Sequence, residues 1–238
     1  MSLYALVARF GLCSRNLFLR NTNIIDNTIA GGLTADRMRL KMDTILYIHG
    51  KGGSADESLH YKPLFPSCDV TGLDYKTFTP WETGAEIKSA VGKLKENYDN
   101  IILIANSIGA FFSMNADISR DIKKAYFISP VVDMEKLIGD MMKYANVTER
   151  ELNEKKVIKT DFGEELSWEY LSYVRKHPLN WTAPTEILYG GRDNITSFET
   201  IKKFADEHNA KLTVMQNGEH WFHTNEQLEF LDNWIRSV

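Results

Sequence analysis

Ser107 is the side chain best placed to do chemistry, because it interrupts an apolar run that extends from Ile102 to Met114. The isoleucine-rich residues before it predict a buried strand, and the residues from Gly109 onward predict a helix. Ala105, Ser107 and Gly109 form a G-x-S-x-G pattern in which alanine replaces the first glycine. A serine on such a tight strand-to-helix turn points its hydroxyl away from the sheet, and small neighbours let the turn close. The pattern therefore predicts a serine hydroxyl that is free to attack a substrate.

A serine nucleophile needs two partners, and the sequence offers both. The hydroxyl is a poor nucleophile at neutral pH, so an imidazole must accept its proton during attack. A carboxylate must hold that imidazole in one tautomer and balance its developing positive charge. Asp193 follows a strand-like run at 186–189, and His220 follows another at 211–215. Ser107, His220 and Asp193 are therefore the candidate nucleophile, general base and orienting acid.

The chain order of these residues, serine then acid then histidine, resembles that of the α/β-hydrolase superfamily. The resemblance covers about residues 43–238 and includes His49 and Gly50, which precede a glycine-rich loop. The chain looks most similar to small, cofactor-free cytosolic hydrolases that are known only as esterases. This resemblance implies a carboxylesterase-like serine hydrolase, which cleaves an ester, a thioester or an amide of a small-molecule acyl substrate through an acyl-enzyme intermediate. It also implies an oxyanion hole formed by the backbone N–H groups of Lys51 and Ile108.

Two of the candidate residues have rivals. His223 also follows the last strand, but it opens the final helical region, and the resembling family places its histidine in the Gly-x-His form found at His220. Asp133 is the alternative acid, because some hydrolases of this fold carry the acid after the strand at 124–128. The remaining histidines are expected to have structural or surface roles: His49, His60, His177 and His208.

The site leaves a second function open. A hydrolase fold can act as a catalytically silent binding module, since neither a fold nor a complete site fixes a substrate. The intact serine, acid, histidine and oxyanion loop argue against that alternative. An aspartate nucleophile would indicate haloalkane or epoxide hydrolysis, and the serine at position 107 disfavours both reactions.

Apolar strand-like runs alternate with helical ones, which predicts an α/β fold with a mostly parallel sheet covered by helices. Right-handed crossovers make such a sheet doubly wound. The predicted strands are Thr44–His49, Val70–Asp74, Asn100–Ala105, Lys124–Ile128, Glu186–Tyr189 and Lys211–Met215. The predicted helices are Thr83–Tyr98, Ile108–Ala116, Ser197–His208 and Asn225–Ile235. Thr83 and Glu86 have the spacing of a capping box, so we expect them to start the first of these helices.

Residues 131–181 break the alternation with a long, charged, helix-rich stretch. Thr148 and Glu151 form a capping-box pattern there, and a second helical run from Leu166 to His177 ends before Pro178. The resembling family inserts a helical cap over the active site at this place, and long insertions are often functional. We therefore expect a cap insertion at about residues 131–181; the alternative is an ordinary long connection that lies on the sheet face.

The composition is that of a globular protein, with 238 residues, 43% hydrophobic and 25% charged. The net charge of −4 disfavours non-specific binding to nucleic acid. No apolar run reaches the roughly 20 residues of a membrane span, so none is expected. The only two cysteines, Cys13 and Cys68, have no metal-ligand spacing and suit a reducing compartment, which favours a cytoplasmic location. We expect neither a metal nor a cofactor, and the oligomeric state stays open.

The first 41 residues differ from the rest in charge, because they carry a net +4 whereas residues 42–238 carry −8. Three interpretations compete for this segment. It is an organelle targeting peptide, or it supplies two extra strands at about 3–10 and 16–20, or it is a weakly ordered extension. We favour the extension, because small members of the resembling family often begin at the strand before His-Gly. The hydrolase domain is therefore predicted over residues 42–238.

Overall fold

The computed structural model describes residues 42–238, so the predictions for residues 1–41 lie outside the described part of the chain. The strands are β1 (Asp43–Ile48), β2 (Asp69–Gly72), β3 (Asn100–Asn106), β4 (Ile122–Ile128), β5 (Val157–Lys159), β6 (Glu165–Ser167), β7 (Thr185–Gly190) and β8 (Lys211–Met215). The helices are α1 (Ser58–Tyr61), α2 (Pro80–Lys95), α3 (Ile108–Asn115), α4 (Met134–Tyr144), α5 (Glu149–Lys155), α6 (Trp168–Lys176), α7 (Phe198–Glu207) and α8 (Asn225–Ser237).

Six of these strands form one sheet in the order β2-β1-β3-β4-β7-β8, and every neighbouring pair is parallel. The strand order reverses at β1 and β3, as in a doubly wound sheet. Because all six strands are parallel, their carboxyl ends meet at one edge of the sheet. The loops after β1, β3, β7 and β8 therefore lie near one another at that edge, which is where α/β sheets bind ligands.

Both faces of the sheet are buried, and β1 shows how the sequence achieves this. Ile45 and Tyr47 belong to the apolar cluster that includes α8, whereas Leu46 and Ile48 belong to the cluster that includes α2 and α3. Successive side chains of a strand point to opposite faces, so a strand covered on both sides is apolar throughout. Each such side chain contributes about 1.5–3 kcal/mol when it is fully buried.

Helix α2 begins three residues before the predicted start at Thr83. The Glu82 N–H donates to the Thr79 hydroxyl over 3.3 Å, and Pro80 occupies the first turn. Thr83 lies buried inside the helix, where its hydroxyl donates to the backbone oxygen of Thr77. The prediction of a capping box at Thr83 and Glu86 is therefore wrong, because proline is favoured in the first helical turn and fixes the start at Thr79.

Residues 131–181 contain α4, α5 and α6 together with an antiparallel hairpin of β5 and β6. The predicted capping box at the start of α5 is present, since the Glu151 N–H donates to the Thr148 hydroxyl over 3.2 Å. Helix α6 begins at Trp168 and not at Leu166, because Leu166 pairs with Ile158 in the hairpin. The hairpin is the element that the sequence does not predict; its strands of three residues are too short to show periodicity.

Candidate active site

Ser107 lies on the turn between β3 and α3 with backbone angles φ 50° and ψ −120°. A positive φ is strained for any residue other than glycine, and such strain is often found at functional sites. Two hydrogen bonds hold the turn: the Ser107 N–H donates to Ile128 O and the Val131 N–H donates to Ser107 O, both over 3.0 Å. Gly109 is required here, because a Cβ atom at this position would lie only 2.4 Å from the His49 carbonyl oxygen.

The structure joins the three predicted residues in one hydrogen-bonded chain. His220 Nε2 lies 2.8 Å from the Ser107 hydroxyl oxygen, and His220 Nδ1 lies 2.7 Å from Asp193 Oδ2. The side chains of His220 and Asp193 are 1% and 0% exposed, so water is excluded from the pair. This arrangement is the one that a serine nucleophile, a general base and an orienting acid need.

Glycines bring the loops of Asp193 and His220 together. A Cβ atom on Gly190 or Gly191 would lie 2.6 Å from a carbonyl oxygen of the loop at 216–218. The Arg192 N–H also donates to Gly218 O over 2.8 Å. The loops that follow β7 and β8 therefore lie directly against each other, which places the carboxylate beside the imidazole.

The Asp193 carboxylate is fixed by the residues that follow it. Oδ1 accepts from the backbone N–H groups of Ile195 and Thr196 over 2.8 and 3.0 Å, and the Thr196 hydroxyl donates to Oδ2 over 3.1 Å. Burial by itself raises the pKa of the Asp193 carboxyl. The hydrogen bond to His220, the electrostatic attraction between this ring and the carboxylate, and the two N–H groups outweigh burial, so they hold the pKa of Asp193 below its ordinary value. The carboxylate is therefore charged at neutral pH.

The two predicted oxyanion donors border Ser107. Ile108 is the first residue of α3, so its N–H has no acceptor inside the helix. A Cβ atom on Gly50 would lie 3.2 Å from the Ser107 Cβ, so the loop that carries Lys51 passes beside the serine. Within residues 42–238, neither the Lys51 N–H nor the Ile108 N–H donates a hydrogen bond. Both are free to stabilise an oxygen anion formed next to Ser107.

The rival residues lie outside this chain of hydrogen bonds. The Asp133 side chain caps α4, where it accepts the Lys136 N–H over 2.9 Å. The His223 side chain is 57% exposed and lies 3.6 Å from the Glu219 carboxylate. Each of the other histidines has a partner away from this chain of hydrogen bonds. The pairs are His49–Tyr75, His60–Asp232, His177–Tyr173 and His208–Trp181.

The sequence analysis does not predict two residues that support the site. Thr196 lies three positions after Asp193 and donates two hydrogen bonds to its carboxylate. The run Asp-Asn-Ile-Thr could have predicted this contact, because an aspartate side chain often accepts hydrogen bonds from the backbone that follows it. Glu164 of the hairpin forms an ion pair with the side chain of Lys51. Nothing local in the sequence links these two residues, which are 113 positions apart.

The described residues offer no sign of a metal centre or a membrane segment. No group of three or more His, Cys, Asp or Glu side chains within 42–238 is arranged to hold a metal ion. None of the helices in the same range is both long enough and apolar enough to cross a membrane.

The chain has the α/β-hydrolase fold, which confirms the prediction made from its motifs. It is similar to Est1E from Butyrivibrio proteoclasticus, with a TM-score of 0.67, 16% identity and coverage of 83% of this chain and 86% of that one. Alpha/beta hydrolase domain-containing protein 10 from mouse gives a TM-score of 0.65 and 16% identity over 82% of this chain and 88% of that one. At these identities the likeness concerns the fold.

One protein is similar to this chain in amino-acid sequence. A Mycoplasma genitalium protein named "Putative esterase/lipase 3" is 31% identical over 119 residues, which cover 46% of this chain. The match spans 43% of that protein, less than half of its length. No family model matches the chain.

Proposed function

We propose that this protein is a serine hydrolase that cleaves a carboxylic ester of a small-molecule acyl substrate through an acyl-enzyme intermediate. The observation that carries the proposal is the unbroken hydrogen-bonded chain from Ser107 through His220 to Asp193, with distances of 2.8 and 2.7 Å. Names among the similar proteins support it: the Mycoplasma protein is named an esterase/lipase, and one structure of Est1E holds ferulic acid.

The geometry supports the first half of the proposed reaction. The Ser107 oxygen bonds to the acyl carbon while its proton moves to His220 Nε2, which lies 2.8 Å away. The negative charge that develops on the substrate carbonyl oxygen is stabilised by the N–H groups of Lys51 and Ile108. Collapse of this intermediate breaks the bond between the acyl carbon and the alcohol oxygen, and His220 donates its proton to that oxygen as the alcohol leaves. The acyl group is then bonded to Ser107.

The second half repeats these steps with water. His220 accepts a proton from a water molecule as the water oxygen bonds to the acyl carbon, and the Ser107 oxygen leaves and recovers that proton. Asp193 stays charged throughout and stabilises the imidazolium of both halves. Esters are favoured over amides as substrates because an alcohol is a better leaving group than an amine. Thioesters suit the same machinery.

Residues 131–181 are proposed to act as the cap of this site. One contact supports that role: the turn of the β5–β6 hairpin reaches the loop that carries Lys51. Inside the segment, the Arg175 guanidinium pairs with both Glu135 and Glu149 and so joins α4, α5 and α6. The segment is thus one connected unit that contacts the rim of the site.

Turnover of p-nitrophenyl acetate by serine variants tests the proposed function. Ser107→Ala should lower kcat by about 10³-fold or more and leave the thermal melt cooperative, because the nucleophile is lost while the fold is kept. Ser89→Ala is the matched control, since Ser89 is an exposed serine of α2. If Ser107→Ala keeps most of the activity with a normal melt, the assignment of the nucleophile is wrong. If the wild-type chain neither hydrolyses esters nor reacts with serine-directed probes, the binding-module alternative is favoured.

A further inference from the structure

Lys51, the proposed oxyanion donor, lies in a turn with few restraints of its own. The Gly53 N–H donates to Gly50 O over 3.2 Å, which closes a four-residue turn, and Gly52 has a φ of +79°. Three of the four residues are glycines. Because glycine has more backbone freedom than any other residue, the conformation of this turn depends on contacts from outside it.

The residue before the turn is anchored by aromatic contacts. The Tyr75 hydroxyl donates to the His49 backbone oxygen over 2.9 Å, and the two rings stack with centroids 4.1 Å apart. The His49 ring also lies against its own neighbour, with Nδ1 2.8 Å from Gly50 O. These contacts fix the point where the chain enters the turn, and none of them involves Lys51.

Lys51 itself is held through its side chain. Its ammonium group pairs with the carboxylate of Glu164, which lies 113 positions further along the chain. The lysine side chain is 48% exposed and the glutamate side chain is 22% exposed, so the carboxylate is the better-buried partner. This pair connects the loop after β1 to the β5–β6 hairpin.

Glu164 is well placed to anchor a flexible partner because its own backbone is fixed. Its N–H donates to the Thr160 hydroxyl over 3.0 Å, and its carbonyl oxygen accepts the Thr160 N–H over 2.8 Å. The Gly163 N–H closes the hairpin turn by donating to Thr160 O over 3.2 Å. A carboxylate on a fixed backbone therefore faces a glycine-rich turn across the rim of the site.

We propose that Glu164 is a positioning residue that holds the Lys51 turn in the conformation in which the Lys51 N–H faces the developing oxyanion. This inference rests on the proposed function. Glu164 touches no reacting atom and acts only through the Lys51 ammonium group. The hairpin of the proposed cap is thereby coupled to the oxyanion donor of the domain beneath it.

The size of the effect follows from what is lost. Deleting an oxyanion donor lowers kcat by about 10²–10³-fold, whereas loss of Glu164 leaves the donor present but less well oriented. We expect Glu164→Gln to lower kcat by about threefold to tenfold. KM should stay nearly constant, because the donor acts on the transition state more than on the bound substrate. Ion pairs as exposed as this one contribute little to folding, so the melting temperature should hardly change.

The test uses the full chain, with p-nitrophenyl acetate as the ester and a fluorophosphonate as a probe of the serine. Glu165→Gln is the matched control, because Glu165 is the exposed neighbour in β6 and its replacement makes the same change in charge. We expect Glu164→Gln to slow both turnover and phosphonylation, and Glu165→Gln to slow neither. The loss should fall on kcat and leave KM nearly constant, a split that a merely structural role would not produce.

Three outcomes would overturn the inference. The first is a kcat for Glu164→Gln equal to that of Glu165→Gln; the second is a loss of rate that follows only a lower melting temperature; the third is a loss that falls on KM and not on kcat. Failure of the proposed function looks different, because the wild-type chain would then neither hydrolyse the ester nor react with the fluorophosphonate.

Discussion

Replacement of Asp193 by asparagine should reverse the hydrogen bonding of His220. Oδ1 of Asp193 accepts two backbone N–H groups, from Ile195 and Thr196, so only an oxygen fits there. The amide nitrogen of the variant is therefore forced into the position of Oδ2, which lies 2.7 Å from His220 Nδ1. An N–H donor at that point requires Nδ1 to be the acceptor, so the ring proton moves to Nε2. Nε2 then donates to the Ser107 hydroxyl and cannot accept its proton.

The wrong tautomer should lower kcat by about 10⁴-fold, as it does in other serine triads, which corresponds to about 5.4 kcal/mol of transition-state stabilisation. Rotation of the amide does not relieve the problem, because it would leave the N–H groups of Ile195 and Thr196 unpaired, at a cost of up to about 1–3 kcal/mol each. The assay is kcat for p-nitrophenyl acetate, with a thermal melt to show that the variant remains folded. Asp133→Asn is the control, because asparagine caps a helix as well as aspartate does. A kcat for Asp193→Asn within tenfold of wild type, or a larger loss in Asp133→Asn, would refute this account.

Three further predictions concern other parts of the molecule. His220→Gln should be nearly as damaging to kcat as loss of Ser107, whereas His223→Gln should keep most of the rate; the reverse order would move the general base to His223. A chain that begins at Met42 should unfold cooperatively and hydrolyse esters, because every site element lies downstream; a melting temperature lower by several degrees would show that residues 1–41 contribute to the fold. The pKa of the Asp193 carboxyl is lower in the folded state than its unfolded value of about 3.9, so its charge stabilises the fold above about pH 4. This contribution is lost as the pH falls through the folded pKa. The difference in the free energy of unfolding between wild type and Asp193→Asn, measured with urea, should therefore shrink below about pH 4. A difference that stays constant from pH 3 to pH 7 would contradict the lowered pKa of Asp193.

The centre of the sheet could be predicted from the sequence because β1, β3, β4 and β7 are buried on both faces. Such strands are short, continuous apolar runs, and β3 is one of them, with Leu103, Ile104 and Ala105 fully buried. The candidate site could be predicted for a related reason. Ser107 and Asp193 follow strands of this kind, β3 and β7, and His220 follows the edge strand β8; the carboxyl ends of these parallel strands meet at one edge of the sheet.

The errors arise where local patterns compete or are too short. Thr79 and Thr83 are each followed by a glutamate three residues later, and only Pro80 distinguishes the true start of α2. The β5–β6 hairpin is set by backbone pairing between strands of three residues, which leaves no periodic signal. The contact between Lys51 and Glu164 depends on where that hairpin packs, so a tertiary structure is needed to find it.

The location of a fluorophosphonate adduct tests the central claim most directly. In that reaction the Ser107 oxygen bonds to phosphorus, fluoride leaves, and the serine proton passes to His220. Mass spectrometry of the labelled protein and of its peptides should find one adduct per chain, on Ser107, and none on the Ser107→Ala variant. An unlabelled wild-type chain, or an adduct on any other residue, would contradict the proposal that Ser107 is the nucleophile of a serine hydrolase.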